Sequence, residues 1–392
     1  MMNKSKVVFF VLRLLDGGGV TTHCASLATA LHAEGYHVIF ICGGDESTFK
    51  GAEWFENQGF TIFNIGFSKK GTVKNYLKNI SSYRRFVSLI YRYKPEIIHC
   101  HFRSTAIFAM IARVLTGAKS ILTVHLHNMP STAITRFFLS QFDHYIVISS
   151  EIKQELIDLN VDPERITRIY NGVDNARYIN AGPDTKKELR LKYGFPPDKL
   201  FLIVVARLVK IKSIDTFING IAELSKASRD RIQCVIVGEG SQMKKLRDLT
   251  EDLRLQEIIE FVGYRDPVDY YRLSDVFVLP SMKEGFSMAV VEAMLSGLVI
   301  LRTPTSGCYD QVIDNENGFI FPFYDHKALA EKIEFLNANP AKVKSMQDVS
   351  NSLAESRFTL KVMTERTVEI YERLISRVDV GQVAVEEEIE VS

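Results

Sequence analysis

The residues best placed to do chemistry are two glutamates, Glu284 and Glu292. They lie in Pro280-Ser281-Met282-Lys283-Glu284-Gly285-Phe286-Ser287-Met288-Ala289-Val290-Val291-Glu292-Ala293-Met294. The run Asp275-Val276-Phe277-Val278-Leu279 before this stretch reads as a buried strand, and Leu298-Val299-Ile300-Leu301 after Gly297 reads as the next. The stretch is therefore a strand, a glycine-containing loop and a short helix. Ser287 is predicted to cap that helix, its hydroxyl accepting from a backbone N–H two or three residues on. Free N–H groups from Met288 onward would then point back over the strand's carboxyl end, a position that attracts phosphate. Carboxylates do not help to bind phosphate, so Glu284 and Glu292 are better explained as acceptors for hydroxyls. A ligand with both phosphate and vicinal hydroxyls is a nucleotide sugar. The same pair also fits a solvated loop charge and a carboxylate favoured by the helix dipole.

Other residues fit the same ligand. Arg207 and Lys212 follow the first strand of the second half, where a guanidinium can hold a diphosphate bidentately with a point charge beside it. Lys210 competes for that role, and two plain surface cations are the alternative. Gly238-Glu239-Gly240 ends one strand and Gly263-Tyr264-Arg265 the next, where Tyr264 either lines a base pocket or is an ordinary loop aromatic. Gly17-Gly18-Gly19 follows the first strand and opens a helix, so backbone N–H groups could approach a phosphate there. Thr22 stands where a dinucleotide fingerprint needs its last glycine, so that motif fails. His99, His101, His125 and His127 cluster in sequence. No carboxylate or cysteine accompanies them, so no metal is expected; a histidine at a strand end, hydrogen-bonding a substrate hydroxyl or a developing charge, is the better reading. No D-x-D, G-x-S-x-G, P-loop or H-E-x-x-H occurs. That argues against hydrolase, kinase and zincin chemistry, and leaves the cations and the helix N-terminus to neutralise a leaving diphosphate.

These loops need a scaffold. At 392 residues the chain calls for two domains. Its 46% hydrophobic and 24% charged content describes a globular protein, and a net charge of +1 gives no pull toward nucleic acid. Five scattered cysteines without a C-x-x-C indicate reduced core thiols rather than disulfides or zinc, which fits a cytoplasmic location. Val7–Leu12 is broken off by Arg13 and Asp16 and reads as a first strand, not a signal peptide.

Strand and helix patterns alternate throughout. Strands are predicted at 7–12, 37–42, 61–65, 97–101, 120–125 and 145–149. After a polar stretch at 180–197, taken as the linker, six more follow at 200–206, 234–237, 258–262, 276–279, 299–301 and 319–321. Continuous apolar strands alternating with helices mean parallel sheets covered on both faces. The fold class is α/β, with two Rossmann-like domains, 1–180 and 198–359, facing a central cleft. A last helix spans 360–378, and the acidic tail 379–392 is expected to be without structure. The segment 74–94 is basic and amphipathic. It either touches anionic lipid or packs its apolar face on the sheet.

Taken together, the motifs resemble the E-x7-E signature of retaining glycosyltransferases of family 4, which have the GT-B fold. Glu284-Gly285-Phe286-Ser287 with Glu292-Ala293-Met294 and Gly297 carries the resemblance. Thr123-Val124-His125, Asn171-Gly172-Val173-Asp174, Ala206-Arg207-Leu208 with Lys212, Val237-Gly238-Glu239-Gly240, Phe261-Val262-Gly263 and Ser274-Asp275-Val276-Phe277-Val278-Leu279-Pro280-Ser281 agree in order. The resemblance implies that Arg207 and Lys212 bind the donor diphosphate. Glu284 would bind the sugar hydroxyls, with the N–H groups of Phe286, Ser287 and Met288 nearby. Glu292 would bind the ribose, and His125 would contact the sugar and steady the transition state. Gly18 and Gly19 would border the donor phosphates and acceptor. The last helix would cross back onto the first domain.

Two departures stand out: the usual Lys-Gly pair is Lys212-Ser213, and a later Gly-Gly pair followed by Glu reads Ser306-Gly307 with Asp310 after it. The expected activity is transfer of a hexose-type sugar from a nucleotide diphosphate, with UDP favoured, and with no cofactor and no metal. The acceptor would be a glycan or a lipid-linked glycan of polysaccharide or cell-envelope synthesis, met with peripheral membrane contact through 74–94. The rival readings are another GT-B enzyme, such as a phosphorylase or a nucleotide-sugar epimerase, and a non-catalytic nucleotide-sugar-binding subunit.

Overall fold

The computed structural model describes residues 6–13, 19–43, 52–66, 73–127, 129–178 and 183–387. Gly17, Gly18 and the end of the tail, 388–392, lie outside them. The chain divides into two compact units, Met1–Gly172 with Leu360–Ser392, and Val173–Thr359.

The first unit holds a seven-stranded sheet of β1 (Lys6–Leu12), β2 (Tyr36–Cys42), β3 (Thr61–Asn64), β4 (Ile97–Cys100), β5 (Lys119–Val124), β6 (His144–Val147) and β7 (Ile166–Arg168). Its order is β3-β2-β1-β4-β5-β6-β7 and every pairing is parallel. Phe9 and Phe10 point to opposite faces of β1 and both are fully buried, as an apolar strand covered on two sides requires. The strand β7 was not expected from the sequence. Ile166-Thr167-Arg168 is too short and polar to show a pattern, and it is defined by its pairing to β6.

The helix Leu360–Glu387 belongs to this unit and packs on the helix Gly19–Ala33. Met363, Ile370, Tyr371 and Leu374 join the first-unit core. Tyr371 also donates to or accepts from His99 Nδ1 at 2.6 Å, and His99 Nε2 lies 2.6 Å from Thr123 Oγ1. This helix runs past 378 into the stretch expected to be unstructured; no proline stops its propagation. From residue 79 on, the basic helix Val73–Tyr93 buries Phe86 and Ile90, with Phe86 edge-on to Phe9 and Phe108. Its apolar face is therefore core, and Arg84, Arg85 and Arg92 are exposed. No helix among the described residues is long and apolar enough to cross a membrane.

The second unit holds a six-stranded parallel sheet of β8 (Leu200–Val205), β9 (Ile232–Val237), β10 (Ile259–Gly263), β11 (Val276–Leu279), β12 (Val299–Arg302) and β13 (Gly318–Ile320). Its order is β10-β9-β8-β11-β12-β13. The presumed linker is instead largely the helix Pro183–Lys192, part of this unit. Arg190 is buried and donates to Asp275 Oδ2 at 2.7 Å and to the Leu273 carbonyl at 2.8 Å. Burial alone would raise the Asp275 carboxyl. Lys186, Arg190 and the Phe201 N–H hold it below its ordinary value instead. A polar composition thus concealed a helix anchored by ion pairs.

In each sheet the chain reverses its winding beside the first strand, between β1 and β4 and between β8 and β11. Ligands of open α/β sheets bind at the carboxyl ends of the strands flanking such a point.

Candidate active site

In the second unit the loops after β8 and β9 approach each other closely. The Leu208 N–H donates to the Glu239 carbonyl at 2.8 Å, and the Gly238 N–H donates to the Gly263 carbonyl at 2.8 Å. A Cβ on Gly238 (φ +139°) would sit 1.9 Å from the Ala206 carbonyl oxygen. One on Gly240 would sit 2.3 Å from the Leu208 oxygen. These glycines are explained by backbone packing, which fixes where Arg207 leaves the sheet. Arg207 is exposed, and its guanidinium has no ion-pair partner among the described residues.

A single 3-10 turn, Lys210–Lys212, follows. Lys210 is exposed, whereas Lys212 Nζ donates to Glu284 Oε1 at 2.6 Å with both side chains largely buried. The turn ends in left-handed Ser213 (φ +48°), where the family pattern has glycine. Its hydroxyl lies 2.9 Å from Thr216 Oγ1. The conformation glycine would give freely is thus kept by serine at a steric cost of about 1–2 kcal/mol.

The loop after β11 carries Glu284 into the helix Met288–Leu295. Ser287 is the cap residue by backbone conformation, but its side chain makes no capping hydrogen bond. It is buried, and its carbonyl accepts from Gln311 Nε2 at 2.9 Å. Gln311 Oε1 in turn accepts from the guanidinium of Arg302, which is fully buried at the end of β12 and donates to Thr305 Oγ1 at 2.7 Å. Thr303 Oγ1 donates to the Ser281 carbonyl. Two residues of the β12 loop therefore hold both ends of the Glu284 loop. Sequence reasoning missed Arg302 and Gln311. The signal was a lone arginine completing the apolar strand Val299-Ile300-Leu301.

The Phe286 side chain is buried against Phe358, with centroids 5.6 Å apart, and against Gly307. Met288 is half-buried. Tyr264 is 82% exposed, and its N–H donates to Glu239 Oε1 at 3.3 Å. Glu292 lies beyond the helix's first turn, so the dipole does not account for it. Tyr271 donates to its Oε2 at 3.0 Å. Burial raises the Glu292 carboxyl above its ordinary value, against hydrogen bonds from Tyr271 and Tyr178 that lower it.

In the first unit, Gly19 opens the helix Gly19–Ala33 with open space where a Cβ would stand. His125 directly follows β5 and is buried, and its Nε2 lies 3.2 Å from His101 Nδ1. His127, which clusters with His125 in sequence, does not join it. The strand ends at Val124, and His127 instead lies 4.0 Å from Glu155. The third member of the cluster is His23, stacked edge-on to His125 with centroids 4.9 Å apart. Sequence reading did not find His23, because it comes from a helix far from the others in the chain. Burial pushes its pKa down to about 4 and drives those of His101 and His125 well below the usual imidazole range. All three are neutral near pH 7.

Residues 185–352 match the family model described as glycosyl transferases group 1, and residues 17–177 match that of glycosyltransferase family 4. The chain is 23% identical to the uncharacterized glycosyltransferase MJ1069 of Methanocaldococcus jannaschii, over 96% of this chain and 100% of that one. Its fold is similar to a glycosyltransferase from Rickettsia africae, with a TM-score of 0.81, 20% identity and coverage of 95% and 99%. It is also similar to Anabaena Alr3699/HepE in complex with UDP, with a TM-score of 0.79, 17% identity and coverage of 94% and 100%. With its two parallel sheets and both family models matched in order, this chain belongs to glycosyltransferase family 4 (group 1) and is a glycosyltransferase of the GT-B fold.

Proposed function

We propose that this enzyme moves a hexose-type sugar from a nucleoside diphosphate, UDP, to a glycan or lipid-linked acceptor of polysaccharide or cell-envelope synthesis, with retention at the anomeric carbon. The observation that carries this reading is the Lys212–Glu284 pair, 2.6 Å apart in the loops that follow β8 and β11, with Arg207 exposed and without an ion-pair partner among the described residues in the first of these loops. A largely buried carboxylate paired with a lysine, with an exposed arginine earlier in the same loop as that lysine, suits a ligand that brings hydroxyls and phosphates together. The uncapped start of the helix Met288–Leu295 adds backbone donors of the same preference. The UDP held by HepE supports the choice of base.

In this scheme the acceptor hydroxyl attacks the anomeric carbon on the face the diphosphate leaves. The new C–O bond forms as the sugar–phosphate bond breaks, and a diphosphate oxygen takes the hydroxyl proton. Arg207 and Lys212 carry the developing charge, so the transfer requires no metal. Glu284 orients the sugar and Glu292 the ribose. Neutral His125 contributes a hydrogen bond rather than a charge.

Thermal shift with UDP, GDP, ADP and their sugar conjugates tests this. A ligand at about 100 times its Kd adds about 2.7 kcal/mol, or a rise of roughly 5–10 °C for a unit of this size. Stabilisation by the UDP series, lost in Arg207→Ala, is expected. No shift with any nucleotide, or one indifferent to Arg207→Ala, rejects the reading.

Glu292→Gln separates binding from stability. The amide keeps an acceptor for Tyr271 but drops a charge that burial disfavours, so the folded protein should be no less stable at pH 7. Nucleotide affinity should fall about 10- to 100-fold with the loss of a charged hydrogen-bond acceptor. The wild-type carboxyl has a raised folded pKa, so its protonated form stabilises the fold. That stability is full below the ordinary value of 4.5 and is lost as pH rises through the raised one. Wild type should therefore gain on Glu292→Gln as pH falls toward 4.5, as read by urea titrations at several pH values. A constant difference would contradict this.

A further inference from the structure

Three imidazoles meet in the first unit from three separate elements: His23 from the helix Gly19–Ala33, His101 just past β4 and His125 just past β5. All three are buried, at 5%, 2% and 7% exposure. One ring nitrogen from each lies within 4.8 Å of the other two. The closest pair, His101 Nδ1 and His125 Nε2, is 3.2 Å apart. Two nitrogens about 2.05 Å from a tetrahedral cation are about 3.3 Å apart, so this pair already has ligand spacing.

The cluster is also unsatisfied. Both ring nitrogens of His23, and Nε2 of His101, have no hydrogen-bond partner among the described residues. A buried polar atom left so is unfavourable, and a ligand that engages it removes that cost. His99, directly behind them, shows what a purely structural histidine looks like here: Tyr371 and Thr123 engage both of its nitrogens.

We propose that His23, His101 and His125 form a binding site for a divalent transition metal of the zinc type. Imidazole suits zinc, copper, nickel and cobalt, whereas magnesium and calcium call for oxygen ligands absent from this trio. Ligation needs neutral imidazole, the form that burial favours for all three. With no carboxylate or thiolate in the set, a bound cation keeps its full charge and an open fourth position. In the free protein His101 and His125 share one hydrogen between the facing nitrogens. Metal binding moves it to the opposite nitrogen of the same ring, so no proton need leave.

One consequence rests on the function proposed for His125. A cation that takes its Nε2 withdraws it from the sugar, so the metal acts as a reversible inhibitor and is not required for transfer.

The test uses full-length, tag-free protein stripped with EDTA, loaded with Co²⁺ and desalted. Bound metal is read by mass spectrometry and by the visible absorption of tetrahedral cobalt. About one cobalt per chain is expected, displaced by Zn²⁺. His23→Asn and His101→Asn should each weaken uptake at least about tenfold. Thermal melts establish that each variant folds; if His101→Asn does not, His23→Asn decides alone. Uptake below about a tenth of an equivalent overturns the site, and so does uptake unchanged in His23→Asn. Separately, EDTA-reversible inhibition by Zn²⁺ is expected in a transfer assay. A metal-loaded enzyme of full activity would leave the site standing and reject the role given to His125.

Discussion

Lys212→Ala is expected to lower kcat/KM for sugar transfer by about 100- to 1,000-fold, the loss typical of removing one group that faces charge developing in the transition state. Two effects add. The leaving diphosphate loses a cation, and Glu284 loses its partner. That carboxylate is only 12% exposed, so an unpaired charge is left beside the phosphates it should not meet. The double variant Lys212→Ala/Glu284→Gln removes this repulsion. Its loss should therefore fall short of the product of the two single losses, with a coupling of roughly 1–3 kcal/mol. Initial rates of UDP release across the cycle provide the measurement. A single variant within about threefold of wild type would mean that Lys212 serves only to hold the loop. Strict additivity would mean that the 2.6 Å contact is incidental to transfer.

The largest expected effect on stability lies at Gly238. Alanine there would place its Cβ 1.9 Å from the Ala206 carbonyl oxygen, at a backbone φ of +139° that a side chain rarely adopts. The two loops must separate to admit it, breaking the hydrogen bonds that tie 206–208 to 237–239. We expect a loss of more than about 4 kcal/mol, a tail value for a single substitution. Gly194→Ala is the internal control: φ is +76° but nothing lies within 4 Å of the added Cβ. Only left-handed strain of about 1–2 kcal/mol applies there. Urea midpoints of the two variants decide the matter. If Gly238→Ala is no worse than Gly194→Ala, close backbone approach does not explain the glycine. Because Arg207 leaves the sheet from the loop that Gly238 packs against, a folded Gly238→Ala should also bind UDP poorly.

Some readings of the sequence survived because their signal is local. Apolar runs such as Phe201-Leu202-Ile203-Val204 are buried on both faces, so continuous hydrophobicity was enough to find the strands and their parallel sense. The loops at strand ends carried charged and small residues whose chemistry could be read directly. Where the local signal is weak the reading failed. The helix Pro183–Lys192 looked like a linker because its anchor is one buried arginine on Asp275, which hydropathy scores as polar. Ser287 looked like a capping side chain because serine usually is one. The structure turns its carbonyl toward Gln311 instead.

The sequence by itself determined the α/β alternation and the two-part organisation, and it singled out Arg207, Lys212, His125, Glu284 and Glu292 as candidates, because these readings depend on residue type and short-range pattern. Only the tertiary structure decided which of them meet. Lys212 finds Glu284 across 72 positions of chain, Arg302 reaches the Glu284 loop through Gln311, and His23 joins His101 and His125 from a different helix. Such pairings depend on strand order and on the direction in which each loop leaves its sheet. Strand order is fixed by long-range packing, which no run of neighbouring residues encodes.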